Sequence, residues 1–362
     1  MDGRFAVNSK VLSLLEHLTG SEAHAVGLVD PVMGSPLAWS PTRDRLTYIS
    51  DGGLTVVNAD GTGKRQLVPP SVVQANGVQA IAWSPDGKWV AYEDLDRQSS
   101  RPPREQGLWR VTVDARVREQ VYLNPDPGEI NSHLAGWSPD GRYLLYWQSK
   151  QMSSSLEADG DPLAAIRVVA GHPSRIVPLM LTYRDFLDWS PNGSQLALIA
   201  GSGRETWVRK RLVVTSLNGV LHPLSDAREA VTDPAWSPDG RWIAVAGEPV
   251  TPAARASASI PRAIAGRRIW RIAADGSSRQ VLTSPPGFQD EHPLWSADGR
   301  SILFARIHDG QAQLWLMRAD GSGQHRVVDV LSPISSGYYG HLPWELAYDW
   351  WSGARQARVP SS

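Results

Sequence analysis

Counting back four positions from six recurring tryptophans gives Ser35, Gln79, His133, Asp185, Thr232 and Glu291, and the next position adds Asp233 and His292. Polar residues at matching places in successive repeats read as a ring. Gln79, His133, Asp185, Asp233, Glu291 and His292 are therefore the expected ligand-binding set. The plainer reading is a set of channel-facing groups that hydrate a water-filled tunnel. Imidazole with carboxylate suits zinc or manganese, so His133, His292, Asp185 and Glu291 are also candidate metal ligands. They come from different repeats, so no local spacing tests the idea.

A second candidate set is basic. Between 200 and 211, Arg204, Arg209, Lys210 and Arg211 face only Glu205; between 247 and 268, Arg255, Arg262, Arg267 and Arg268 face only Glu248. Arginine suits carboxylate or phosphate recognition. Arg204, Trp207, Arg209, Arg267 and Arg268 are expected to form one basic rim. A solvated loop is the bland alternative.

The tryptophans belong to a repeated phrase: "AWSPTRD" (38–44), "AWSPDGK" (82–88), "GWSPDGR" (136–142), "DWSPNGS" (188–194), "AWSPDGR" (235–241) and "LWSADGR" (294–300). The phrase returns every 44 to 59 residues and explains much of the unusual total of 16 Trp. Repeats of this length point to propellers or arrays. Ser, Pro and Gly suit the first, second and fourth positions of a type I turn, and a type I turn followed by a left-handed Gly suits a tight hairpin. The phrase thus reads as strand, turn, strand, with Ser and Asp as turn formers rather than a catalytic pair. A second strand pair follows in most units, as in "RIWRIAADGSSRQVLT" (268–283). The predicted fold is all-β: a β-propeller of four-stranded antiparallel blades.

These residues resemble the propeller repeats of the TolB-like family over about 35–330. The same kind of unit is found in periplasmic TolB, in the propeller half of prolyl-oligopeptidase-like peptidases and in oligogalacturonate lyase. The resemblance specifies the fold and leaves function open. Blade 1 departs from the pattern at Thr42-Arg43-Asp44, and blade 3 lacks an Asp-Gly in "IRVVAGHPSRIVPL" (166–179). The lyase resemblance implies a divalent metal held by His and Gln near the channel, with no residue-by-residue match here.

Six units are explicit, so six blades are expected. The alternative is seven, the last closed by the N- and C-terminal segments. The expected organisation is an N-terminal extension over 1–34 (a helix plus a closing strand), the propeller over 35–330, and a C-terminal extension over 331–362. "NSKVLSLLEHLTG" (8–20) reads as a helix capped by Asn8 or Ser9; at the other end, either "AYDWWSGARQARV" (347–359) is a strand pair of the seventh blade, or "LPWELAYDWWSG" (342–353) is a helix with Pro343 in its first turn.

A net charge of −1 argues against a nucleic-acid partner, and the absence of Cys excludes disulfides and thiolate sites. No apolar run approaches the roughly 20 residues of a transmembrane helix. The start is unlike a signal peptide. The expected compartment is periplasmic or extracellular if a signal was removed, and otherwise cytoplasmic. No nucleophile elbow, His-Glu-x-x-His or phosphate loop is present. The expected function is a non-enzymatic scaffold, monomeric and without cofactor, binding a protein, peptide or glycan on its loop-rich face. The alternative is a metal-dependent lyase or hydrolase acting at the channel mouth.

Overall fold

The computed structural model describes residues 4–7, 12–16, 24–28, 37–41, 45–50, 52–70, 78–94, 107–125, 130–150, 160–169, 171–226, 228–250, 263–284, 286–329, 338–342, 344 and 348–351. The described strands form seven four-stranded sheets. They fall into two compact units, one comprising 1–157, 161–178 and 348–362, the other 158–160 and 179–347.

In unit one, β1 (Arg4–Val7), β2 (Leu12–Glu16) and β3 (His24–Leu28) make one sheet together with β28 (Tyr348–Trp351). The next sheet is β4 (Leu37–Trp39), β5 (Arg45–Ser50), β6 (Gly53–Asn58) and β7 (Arg65–Val68). It is followed by β8 (Val78–Trp83), β9 (Trp89–Asp94), β10 (Gly107–Thr112) and β11 (Arg118–Leu123). The fourth is β12 (Ile130–Trp137), β13 (Tyr143–Lys150), β14 (Asp161–Arg167) and β15 (Ser174–Met180), whose last two residues belong to unit two.

Unit two holds three further sheets. They are β16 (Leu187–Trp189), β17 (Leu196–Ala200), β18 (Arg211–Thr215) and β19 (Leu221–Pro223); β20 (Glu229–Trp236), β21 (Trp242–Pro249), β22 (Arg268–Ala273) and β23 (Arg279–Val281); and β24 (Gln289–Trp295), β25 (Ser301–His308), β26 (Gln311–Arg318) and β27 (His325–Val328).

The six explicit repeats give six sheets as expected, and the termini supply a seventh, the arrangement held as the alternative. The expected N-terminal helix is corrected, and at the C-terminus the strand alternative holds over the helix. Leu12–Glu16 is a strand between β1 and β3, and Tyr348–Trp351 pairs with β1 in the register Val7↔Tyr348 to Arg4↔Trp351. Apolar runs this short do not distinguish strand from helix by period. Partner strands from the opposite chain terminus decide the matter, and aromatic Tyr and Trp suit a strand.

The Ser-Pro-Asp-Gly phrase folds as read. The Ser84 hydroxyl donates to Asp86 Oδ1 at 2.6 Å and accepts from Trp89 N at 2.9 Å, while Lys88 N donates to Asp86 Oδ1. The same set recurs at Ser138/Asp140, Ser190/Asn192, Ser237/Asp239 and Ser296/Asp298. Gly87 takes φ 65°, a left-handed conformation that favours glycine. The hydroxyl and the carboxylate are thus consumed by the turn.

Three motif tryptophans also reach to the preceding blade. Trp83 Nε1 donates to the carbonyl of Ala38, Trp137 Nε1 to Ala82 and Trp295 Nε1 to Ala235, each at 3.0 Å. Each acceptor immediately precedes the motif Trp of the blade before. The Trp39 and Trp236 indoles depart from this, being buried with no hydrogen-bond partner for Nε1 among the described residues, and Trp236 is held differently. Its main-chain N–H instead donates to Asp188 Oδ2 at 2.6 Å.

Removing a buried aromatic from a core costs about 3–5 kcal/mol, more than the loss of one turn hydrogen bond at about 1 kcal/mol. Trp295→Ala should therefore destabilise the chain by about 3–5 kcal/mol in urea unfolding, and Asp298→Ala by about 1 kcal/mol. Equal effects would show that the turn, not the indole, holds the blades together.

Candidate functional site

Strand register brings the charge-bearing residues of unit two to one end of its sheets. The start of β20 pairs with the end of β21 (Glu229↔Pro249, Thr232↔Ala246), at the end opposite the Ser-Pro-Asp-Gly turn. The register then slips between Thr232 and Ala235, and in the next blade between Glu291 and Leu294. These slips sit at the equivalent motif position. Inside them, Asp233 (φ 54°) and His292 (φ 51°) adopt the left-handed conformation, each followed by proline. Proline disfavours the right-handed helical region for the residue before it. A left-handed non-glycine residue costs about 1–2 kcal/mol, and a bulge re-aims its side chain.

The re-aimed groups converge. One donor atom from each of Asp185, Asp233 and His292 lies within 4.8 Å of the other two. Asp185 comes from a single 3-10 turn, Arg184–Phe186, just before β16. His341, from the stretch after β27, places its Nε2 2.9 Å from both carboxylate oxygens of Asp185. Its ring stacks on Tyr183 with centroids 3.5 Å apart and planes at 4°. The Thr232 hydroxyl donates to Asp233 Oδ2 at 2.9 Å, and Asp233 Oδ1 lies 4.0 Å from His292 Nδ1. Burial raises the Asp233 pKa, but His292, His341 and Arg267 outweigh it and hold the carboxyl below the usual range.

A second network adjoins the first, because Glu291 precedes His292. Arg267 is 3% exposed. It donates Nη1 to Glu291 Oε1 at 2.6 Å and to the Gly340 carbonyl at 2.9 Å, and Nη2 to Thr206 Oγ1 at 2.6 Å. Glu291 also accepts from Gln289 Nε2 at 2.6 Å and from Trp344 Nε1 at 2.7 Å. On the other side of Arg267 stands Glu248, with Oε1 3.6 Å from Nε and no hydrogen bond to that oxygen. Burial opposes the Arg267 charge, yet Glu291, Glu248 and Asp233 outweigh it and raise its pKa. Burial pushes Glu248 up to about 7; Arg267 draws it down and Glu291 raises it again.

The loop after β17 is fixed by a buried lysine. Lys210 Nζ donates to the carbonyls of Ser202, Gly203 and Val208, and burial lowers its pKa to about 8. Thr206 N and Oγ1 both donate to the Tyr339 carbonyl at 3.1 Å. Gly340 (φ 81°) fits where a side chain would strike Thr206 Oγ1 and Trp207.

Of the expected ligand set, Asp185, Asp233, Glu291 and His292 are thus neighbours in one network. His133 is held inside unit one, its Nδ1 3.2 Å from Glu93 Oε1 and its Nε2 3.1 Å from Ser149 Oγ. That order of acid, imidazole and hydroxyl ties β9, β12 and β13 together; Ser149 is only 1% exposed. The side chain of Gln79, on β8, lies outside the described residues. Within the expected metal set, Glu291 is occupied by Arg267, Gln289 and Trp344, whereas Asp233 lies beside Asp185 and His292.

The expected basic rim is corrected as well. Arg267 is a buried ion-pair partner. Arg268 Nη1 donates to the carbonyls of Ala265, Arg267 and Phe288. Trp207 is buried against Ala263 and Ile264. Arg204 donates to the Tyr339 hydroxyl at 3.1 Å and lies over its ring, while Arg209 is exposed. Arg255 and Arg262 lie outside the described residues. Sequence reasoning singled out neither Thr206 nor His341, and it named Lys210 and Glu248 only as loop charges.

No family model matches the chain. Over 79 residues it is 37% identical to the Tol-Pal system protein TolB of Geobacter sulfurreducens, covering 22% of this chain and 17% of that protein. It is a TolB-like β-propeller. It spans less than two thirds of the length of the curated relatives it matches. In fold it is similar to puromycin hydrolase (TM-score 0.65, 15% identity, 93% of this chain and 54% of that one). It is likewise similar to an oligogalacturonate lyase in complex with manganese (TM-score 0.57, 14% identity, 91% and 85%). At these identities the propeller fold is what is shared.

Glu248 gives this site a pH signature. Its folded pKa, about 7, is raised above the ordinary value of 4.5. Its stabilising contribution is therefore complete below about 4.5 and lost as pH rises through about 7. The stability of Glu248→Gln relative to the unmodified chain should grow across that window and level off above it. A difference independent of pH in denaturant titrations would contradict the assignment.

Proposed function

We propose that this propeller is a binding scaffold for a protein or peptide ligand that presents acidic side chains. The ligand would dock at the end of the unit-two sheets where the strands preceding the Ser-Pro-Asp-Gly turns begin. The observation that carries the proposal is the loop over 201–210. The Lys210 ammonium locks it to three of its own carbonyls, and Thr206 ties it to Tyr339. It therefore presents the exposed Arg209 and the half-buried Arg204 from a fixed backbone. Arginines held this way engage carboxylates with little ordering cost. The relatives named as Tol-Pal system proteins support a role among proteins.

Random-peptide display on the immobilised chain should enrich Asp- and Glu-rich sequences. Their affinity should fall at least 10-fold, about 1.4 kcal/mol, in Arg204→Ala/Arg209→Ala. It should also weaken with added salt. Peptides without acidic enrichment, or equal binding by the double variant, would overturn the proposal.

A further inference from the structure

We propose that Asp185, Asp233 and His292 form a divalent-cation site suited to zinc or manganese. Three observations carry it. First, the donors come from the starts of three successive blades, yet they meet within 4.8 Å. Two carboxylates and an imidazole are the donor types that zinc and manganese accept, and the imidazole disfavours calcium and magnesium.

Second, the separations are near those of a coordination shell: His292 Nδ1 and Asp233 Oδ1 stand 4.0 Å apart. Ligands around a tetrahedral ion at about 2.1 Å stand about 3.4 Å apart, so a small closure of the gap brings them into place.

Third, both carboxylates are already oriented from outside. His341 holds Asp185, and Thr232 holds Oδ2 of Asp233, leaving Oδ1 on the His292 side. Outer partners of this kind fix ligand geometry in metal sites. The neighbouring Glu291 is kept out of the set by Arg267 and Trp344. Three protein donors also leave coordination positions open. Their use by a carboxylate of a bound ligand rests on the binding function proposed above; the cation site itself does not.

The test is a calorimetric titration of chelator-treated protein with zinc chloride or manganese chloride alone, followed by elemental analysis after desalting. One equivalent should bind and raise the melting temperature. Asp233→Asn and His292→Ala should abolish the binding. His341→Gln should weaken it 10- to 100-fold, as expected for an outer partner. His325→Gln, an exposed histidine on β27, should leave it unchanged. Should a ligand variant fail to fold by circular dichroism, cobalt(II) titration of the unmodified chain decides. An absorption spectrum of a protein-ligated, low-symmetry ion supports the site, and a spectrum of hydrated cobalt overturns it. Absence of stoichiometric binding, or equal binding by Asp233→Asn and His292→Ala, also overturns it. Because only the metal is titrated, failure here leaves the peptide-display result standing.

Discussion

The charged end of the unit-two sheets depends on one buried cation. Arg267 sits between Glu291 and Glu248 and also reaches the Gly340 carbonyl and the Thr206 hydroxyl. Four separate stretches are thereby joined: the loop after β17, the ends of β21 and β24 that face it, and the stretch after β27. A buried guanidinium is costly unless each partner is placed well, and breaking such a group from one side costs about 3–5 kcal/mol. Arg267 is therefore a constraint on the site as much as a stabiliser of it. It fixes Glu291, and Glu291 fixes where His292 begins its left-handed turn.

The scaffold beneath is built from weaker, repeated interactions. Each Ser-Pro-Asp-Gly turn closes on itself through its own hydroxyl and carboxylate, and three motif indoles donate to the blade before. These bonds make no demand on the strand starts, because the turn lies at the other end of the same strand pair. Chemistry-bearing residues can therefore vary at the starts of strands while the repeat stays constant. Blades five and six show the consequence: the same bulge carries Asp233 in one and His292 in the other, with proline after both.

Much of this was legible in order along the chain. The Trp-Ser-Pro-Asp-Gly phrase gave the blades, since turn chemistry is local and each copy repeats the same hydrogen bonds. Counting back from the tryptophans also found Asp185, Asp233, Glu291 and His292, because a strand start sits at a fixed distance from its turn. The arginines were harder. Arg267 and Arg268 are adjacent in a basic stretch, and nothing local says that one is buried between two glutamates while the other binds carbonyls. The terminal strands resemble helices in sequence for a similar reason: a stretch of four or five residues takes the structure its partner imposes.

The sequence by itself determined the repeat, the turn geometry and the strand-start positions, all set by interactions between residues a few places apart. Only the tertiary structure decided which of those positions meet. Asp185 finds His341 across 156 residues of chain, and Arg267 finds Thr206 across 61. Such pairings depend on burial and on the ordering of blades. Those are properties of the packed sheets, and no short spacing in the chain encodes them.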